Sequence, residues 1–233
     1  MKKTRVDDLI TFIKENQITI KDHKLVDMAF THPTYAFENK LKDLESNQRL
    51  EFLGDAVLGL IVGHYLYDAF PKEPEGVLTK MRAAVVCEGT LATVARRLRI
   101  GEYLKLGKGE ELTGGRERNS NLADAFEALV GAIYLDNGII NARQFVLNNL
   151  VDEIERFEAG EHRDYKTMVQ ELCQKLYGDN VTYGIISETG PDHHKQFEAG
   201  LYFQGKLLTI GSGFSKKEAE QAAAKKAYSL FKK

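Results

Sequence analysis

A chain of 233 residues, 43% hydrophobic and 28% charged, is long enough for one full-sized core and a second small domain. A formal net charge of −2 excludes a uniformly basic nucleic-acid binder. No uncharged apolar run reaches the ~20 residues that span a bilayer, so no membrane partner is expected. The charge is uneven, however. Residues 163–233 carry 11 Lys+Arg against 8 Asp+Glu, and residues 1–162 carry 21 against 26, so a mildly basic tail follows an acidic body. Cys87 and Cys173 lie far apart, show no CxxC or Cys/His zinc spacing, and read as reduced core thiols of a cytoplasmic protein. The opening MKKTR is followed by Asp7, Asp8, Lys14 and Glu15, which interrupt any apolar stretch, so no export signal is expected.

In chain order, Val6, Leu9, Ile10 and Ile13 at helical spacing predict a helix over 6–16. A second runs from Leu25 to Thr31-His32-Pro33, where the proline disfavours helix at His32. Residues 38–47 are polar and predict a loop. Residues 48–70, QRLEFLGDAVLGLIVGHYLYDAF, are helix-length and apolar almost all round, which predicts a buried helix ended by Pro71. Helices follow over 76–86 and 90–98, the second closing on Arg96, Arg97 and Arg99, which suit the negative end of its dipole. The glycine-rich stretch 101–115 matches neither GxGxxG nor GxxxxGK[ST], so no nucleotide loop is assigned. Helices are predicted over 119–135 and 141–158, and the body holds no convincing strand.

After a short linker the periodicity changes. A helix over 165–177 precedes strands over 181–187, 196–203 and 206–211, and a helix over 215–231 closes the chain. The order αβββα predicts a three-stranded antiparallel sheet with both helices on one side. The fold class is therefore an all-helical domain, residues 1–158, a linker, 159–163, and an α+β domain, residues 164–233.

Chemistry enters with the acids. Glu51 and Asp55 lie at i and i+4, on one face of the apolar helix. Carboxylates are almost never fully buried unless paired or bound to metal. On the helix over 119–135, Leu122, Phe126, Leu129, Val130 and Ile133 fall on one side. Asp124 and Glu127 fall on the other, beside the small residues Ala128 and Gly131. If the two acid faces meet, four carboxylates share one small volume, and either their pKa values rise or cations bind. An all-oxygen set suits Mg²⁺ or Mn²⁺ rather than zinc, and points to phosphoryl chemistry. The same pattern also fits an ordinary amphipathic helix whose acids face water. His32 and His64 read as structural.

In the tail, Ser215 and Glu218 form a capping-box pattern around Lys216 and Lys217. Two lysines in a helix's first turn oppose its dipole, unless a phosphate binds there. A merely solvated helix end, with Glu218 and Glu220 offsetting the lysines, fits as well. Gly190-Pro191-Asp192-His193-His194-Lys195 is a loop rich in donors, suited to probing a groove.

Residues 49–58, RLEFLGDAVL, resemble the signature of ribonuclease III, and residues 121–128, NLADAFEA, look like that family's second acidic motif. From Tyr165 onward the chain is similar to a double-stranded-RNA-binding domain, with Gln170, Glu171, His193, Ser215, Lys216 and Lys217 at its binding positions. The resemblance implies a homodimer of helical endonuclease domains whose valley holds duplex RNA, with one metal site per subunit. It implies metal binding by Glu51, Asp55, Asp124 and Glu127, with Asp55 and Glu127 catalytic and Mg²⁺ replaceable by Mn²⁺. It also implies water attack leaving 5′-phosphate and 3′-hydroxyl ends with short 3′ overhangs, in the processing of ribosomal, messenger and transfer RNA precursors. Gln48 departs from the family's common Glu and adds no negative charge at a possible outer-shell position. Glu220 stands where many such RNA-binding domains carry a third lysine. Two further readings are a non-catalytic duplex-RNA binder and a hydrolase of small phosphates, though the latter leaves the tail without a task.

Overall fold

The computed structural model describes residues 4–41, 45–158, 165–190 and 195–231, in two compact units, Met1–Glu161 and His162–Lys233. The expected linker, residues 159–163, lies outside the described residues. The first unit is built from α1 (Arg5–Glu15), α2 (His23–Ala29), α3 (Pro33–Glu38), α4 (Gln48–Ala69), α5 (Glu75–Val85), α6 (Glu88–Arg97), α7 (Ile100–Tyr103), α8 (Lys108–Leu112), a 3-10 turn (Gly115–Glu117) and α9 (Asn119–Glu158). Thr31 and Lys105 form an isolated parallel bridge, and no named strand occurs among the described residues of this unit.

Local chemistry explains the helix starts. Thr4 and Asp7 form a reciprocal capping box on α1. Periodicity does not reveal α3, yet its signal is present: Pro33 sits in the first turn, where no N–H is needed, and the His32 ring accepts from the Thr34 N–H. Helix α9 breaks at Gly138, whose φ of 77° lies in the left-handed region. There the Asp136 carboxylate accepts from the backbone N–H groups of Lys21 and Asp22 at 2.8 and 3.0 Å, and Asn137 Nδ2 donates to the Thr19 carbonyl. Those bonds pin the break to the segment after α1.

Helices α4 and α9 are the spine of the core. Leu50, Val57, Leu58, Ile61 and Leu66 of α4 join Phe126, Leu129 and Ile133 of α9 in one buried cluster. The two backbones nearly touch. A Cβ placed on Gly54 would lie 1.8 Å from the Glu127 carbonyl oxygen, and one on Gly131 would lie 2.3 Å from the Leu50 carbonyl oxygen.

The expectation that α4 is buried all round is wrong. By length and composition α4 matches a membrane span, but one side packs on the core while Phe52, Leu60 and Tyr67 are 81%, 62% and 73% exposed. An apolar repeat marks surfaces that avoid water, whether inside the chain or at a contact it makes with another. Cys87 also departs from expectation: it is exposed at the N-cap of α6, while Cys173 is buried.

In the second unit, α10 (Tyr165–Tyr177) precedes β1 (Val181–Thr189), β2 (Gln196–Phe203), β3 (Lys206–Gly213) and α11 (Lys216–Phe231). The sheet is antiparallel in the order β1-β2-β3, with Tyr183 opposite Leu201 and Leu201 opposite Thr209. Ala199 and Leu201 face the helices and are buried, as are Val169, Ala223 and Ala227. At Gly211 the α11 backbone lies on β3; a Cβ there would sit 2.1 Å from the Ala223 nitrogen. The αβββα order and the single helical layer match expectation.

Gly54→Ala is expected to force α4 and α9 apart, because the obstructing atom is backbone and cannot swing aside. The unfolding free energy should fall by about 1–3 kcal/mol, measured by denaturant unfolding. Gly59→Ala, on the same helix with nothing within 4 Å of its Cβ position, should leave the monomer's core packing unaffected.

Candidate metal centre and nucleic-acid interface

The close approach of α4 and α9 decides where the acids go. Leu50 and Gly54 form the contact on α4, so Glu51 and Asp55, each one residue later, flank it. Glu127 supplies the carbonyl under Gly54, and Asp124 lies one turn before it on α9. Glu51, Asp124 and Glu127, all half-buried, each offer a carboxylate oxygen within 4.8 Å of the others. Asp55 is exposed and does not belong to that trio, though its charge acts on Glu51 and Glu127. Gln48, also exposed, opens α4 one turn before Glu51. Asn47 caps this helix with its N–H donated to the Thr31 carbonyl at 2.8 Å. Its buried Nδ2 has no hydrogen-bond partner among the described residues.

The electrostatics are those of acids crowded together without a basic partner among the described residues. Burial, then the charges of Asp55, Asp124 and Glu51, push the Glu127 carboxyl up to about 7. Burial, then Asp124 and Asp55, raise Glu51 above its ordinary value. Burial, then Glu88, raise Asp124. Glu88, in the first turn of α6, was not among the sequence candidates; only the packing of α6 on α9 brings its charge to bear. Among the described residues, no basic side chain acts on these three acids. Like charges held together in a half-buried site are relieved by a hard divalent cation, which an all-carboxylate donor set fits.

A second network supports the start of α9. Asn121 Nδ2 donates to Glu110 Oε1 at 2.7 Å and to the Gly115 carbonyl at 2.9 Å, and Arg118 pairs with the same carboxylate. The histidines and arginines read as structural have such roles: His32 caps α3, His64 meets Asp68 one turn on, and Arg96 donates to the Glu117 carbonyl and Asn119.

In the tail unit, Gln170 and Glu171 are exposed on α10, and Lys216 and Lys217 are exposed in the first turn of α11. Ser215 Oγ accepts from the Glu218 N–H, but the Glu218 carboxylate returns to the Phe214 N–H rather than to that of Ser215. The cap is therefore offset by one residue from a reciprocal box. Lys216 Nζ lies 5.9 Å from the Phe197 ring centre. His193 lies outside the described residues.

A helical domain whose half-buried carboxylates could hold a metal ion, joined in one chain to an αβββα domain, is the layout of a nuclease with an appended binding domain, and likeness to known proteins gives its class. The Ribonuclease-III-like family model matches residues 22–154 and the double-stranded RNA binding motif matches residues 165–230. Ribonuclease 3 of Moorella thermoacetica is 51% identical over 232 residues, covering 100% of this chain and 99% of the relative. Ribonuclease 3 of Desulforamulus reducens is 56% identical over 205 residues, 88% of this chain and 83% of the relative. Among solved structures, the nuclease domain of ribonuclease III from Campylobacter jejuni matches with a TM-score of 0.56 at 40% identity, over 60% of this chain and 94% of that one. The chain belongs to the ribonuclease III family, and it is an endoribonuclease specific for double-stranded RNA.

A carboxyl raised in the fold binds its proton more tightly folded than unfolded. Through Glu127, the metal-free protein therefore loses stability as pH rises from its ordinary 4.5 to about 7. In chelator, the thermal midpoint should fall across that window, and Glu127→Gln should flatten that part of the profile. Divalent cation should bind more tightly as pH rises through about 7, with proton release measurable by calorimetry in buffers of different ionisation enthalpy.

Proposed function

We propose that the enzyme is a Mg²⁺-dependent homodimer that cuts duplex RNA with one acidic site per subunit, using Glu51, Asp55, Asp124 and Glu127. The observation that carries this reading is the trio of carboxylate oxygens within 4.8 Å, with no cation among the groups acting on them. An RNA phosphate is itself anionic, so such a site repels its substrate until a cation intervenes. When bound, Mg²⁺ polarises a phosphate oxygen and makes a water more acidic; Mn²⁺ supplies the same chemistry.

The remaining work belongs to the chain. Glu51 and Asp124 orient the site from opposite helices. Glu127, whose carboxyl is pushed up to about 7 by burial and the neighbouring acids, gives up its proton as the cation binds and then serves as a ligand. By the family likeness Asp55, exposed beside the trio, and Glu127 are the catalytic pair. The products carry 5′-phosphate and 3′-hydroxyl ends, and the substrates are ribosomal, messenger and transfer RNA precursors in the cytoplasm.

The dimer reading rests on the exposed lane of α4. Phe52, Leu60 and Tyr67 leave an apolar strip in which Gly59 has nothing within 4 Å of its Cβ position, so a second helix can lie close. A region involved in dimer formation is named for the Campylobacter nuclease domain. Gln170, Glu171, His193, Ser215, Lys216 and Lys217 contact the duplex, reading shape, 2′-hydroxyls and phosphates rather than sequence. Gln48, which brings no charge, stands outside the direct ligands.

Glu127→Gln should abolish Mg²⁺-dependent cleavage of a long duplex while leaving its binding nearly intact; retained cleavage would remove Glu127 from the mechanism. Sedimentation at dilute concentration should show a dimer, and Phe52→Glu should yield a monomer. Lys216→Ala with Lys217→Ala should weaken binding to unrelated duplexes about equally and make the salt dependence shallower by roughly one to two contacts.

A further inference from the structure

Residues 216, 217 and 220 of α11 stand at i, i+1 and i+4, so Lys216 and Glu220 share one face of the helix. Lys166 and Gln170 stand at i and i+4 on α10, and likewise share a face. The two lanes meet at one contact: Lys166 Nζ lies 2.5 Å from Glu220 Oε2. Lys166 Nζ also sits 4.7 Å from the Tyr183 ring centre, so the ammonium is held from two sides. Both partners are part-buried, their side chains 35% and 23% exposed. The charge of Lys166, on the same face of α10 as the exposed Gln170, is thus matched within the domain.

We propose that Glu220 sets the affinity of the tail unit for duplex RNA by holding Lys166 in this pair, withholding one cation from the phosphate backbone. The proposal rests on the reading of Lys216 and Lys217 as phosphate contacts. Its physical basis is counterion release: each further phosphate neutralised by a lysine adds about one unit to the salt dependence of binding. Glu220 removes Lys166 from that set and adds a negative charge on the same helix face as Lys216. It thereby lowers sequence-independent affinity, and leaves a larger share of the discrimination to the duplex shape that the two helices fit.

The pair is not what holds the helices together. The Lys166 backbone N–H donates to Gln221 Oε1 at 3.3 Å, and Tyr165 and Val169 pack with Ala223, Ala224 and Ala227 in the core. Alanine is the best helix former, so Glu220→Ala removes the carboxylate without opposing the helix.

The test is equilibrium binding of the full-length protein to an unrelated-sequence RNA duplex in Ca²⁺ without Mg²⁺, at several salt concentrations, with far-UV circular dichroism checking the fold. Glu220→Ala should bind on the order of threefold to tenfold more tightly at low salt, with a salt slope steeper by about one. Lys166→Ala with Glu220→Ala should return the slope to that of the parent protein. Unchanged or weaker binding by folded Glu220→Ala overturns the proposal. So does a double variant that keeps the full gain, because the released cation would then not be Lys166. If Lys216→Ala with Lys217→Ala leaves binding untouched, it is the underlying phosphate reading that fails.

Discussion

The approach of α4 to α9 at Gly54 and Gly131 is the contact on which the rest of the first unit depends. With carbonyl oxygens of Glu127 and Leu50 where side chains would otherwise stand, the two helices meet backbone to backbone. That distance brings carboxylates from two segments, some seventy residues apart in sequence, within reach of one ion. A side chain as small as methyl at either glycine would widen the crossing and take the acids out of register. The glycines thus shape the acid cluster as much as the acids they flank do.

The crossing stores a charge problem that the fold alone does not solve. Burial and neighbouring acids raise Glu51, Asp124 and Glu127, and no lysine or arginine among the described residues acts on them. A protein selected only for stability would place a cation or an apolar residue there. Acids left unmatched in this way suit a divalent cation, and the network of Asn121, Glu110 and Arg118 ties down the start of α9. The tail unit handles its charges the opposite way. There a lysine on the same face as Gln170 is matched internally by Glu220, and the lysines opening α11 remain exposed.

Much of this was legible along the chain. The i, i+4 pair Glu51 and Asp55 and the i, i+3 pair Asp124 and Glu127 mark faces through helix geometry alone, and the alternation Phe197, Ala199, Leu201, Phe203 marks a strand. The short helices α7 and α8 were not legible, and α3 showed only in its capping residues, not in any periodicity. Each is too brief for periodicity to show, and they are held by long-range bonds such as His32 N–H to the Lys105 carbonyl and Gly107 N–H to Thr34 Oγ1. The exposed side of α4 was misread because hydrophobic spacing reports a demand for apolar contact without saying which molecule meets it.

By itself the sequence determined the element types, the two-unit order, the family and the acids available for metal binding, because these follow from local propensity, short spacings and motifs. Only the tertiary structure decided which of those acids share a volume. It separated Asp55 from the trio of Glu51, Asp124 and Glu127, brought Glu88 to bear on Asp124, left one side of α4 open, and matched Lys166 to Glu220. The physical reason is common to all four. Position along a helix fixes which way a side chain points, but its charge environment depends on what packs opposite, and that is set by contacts between residues far apart in the chain.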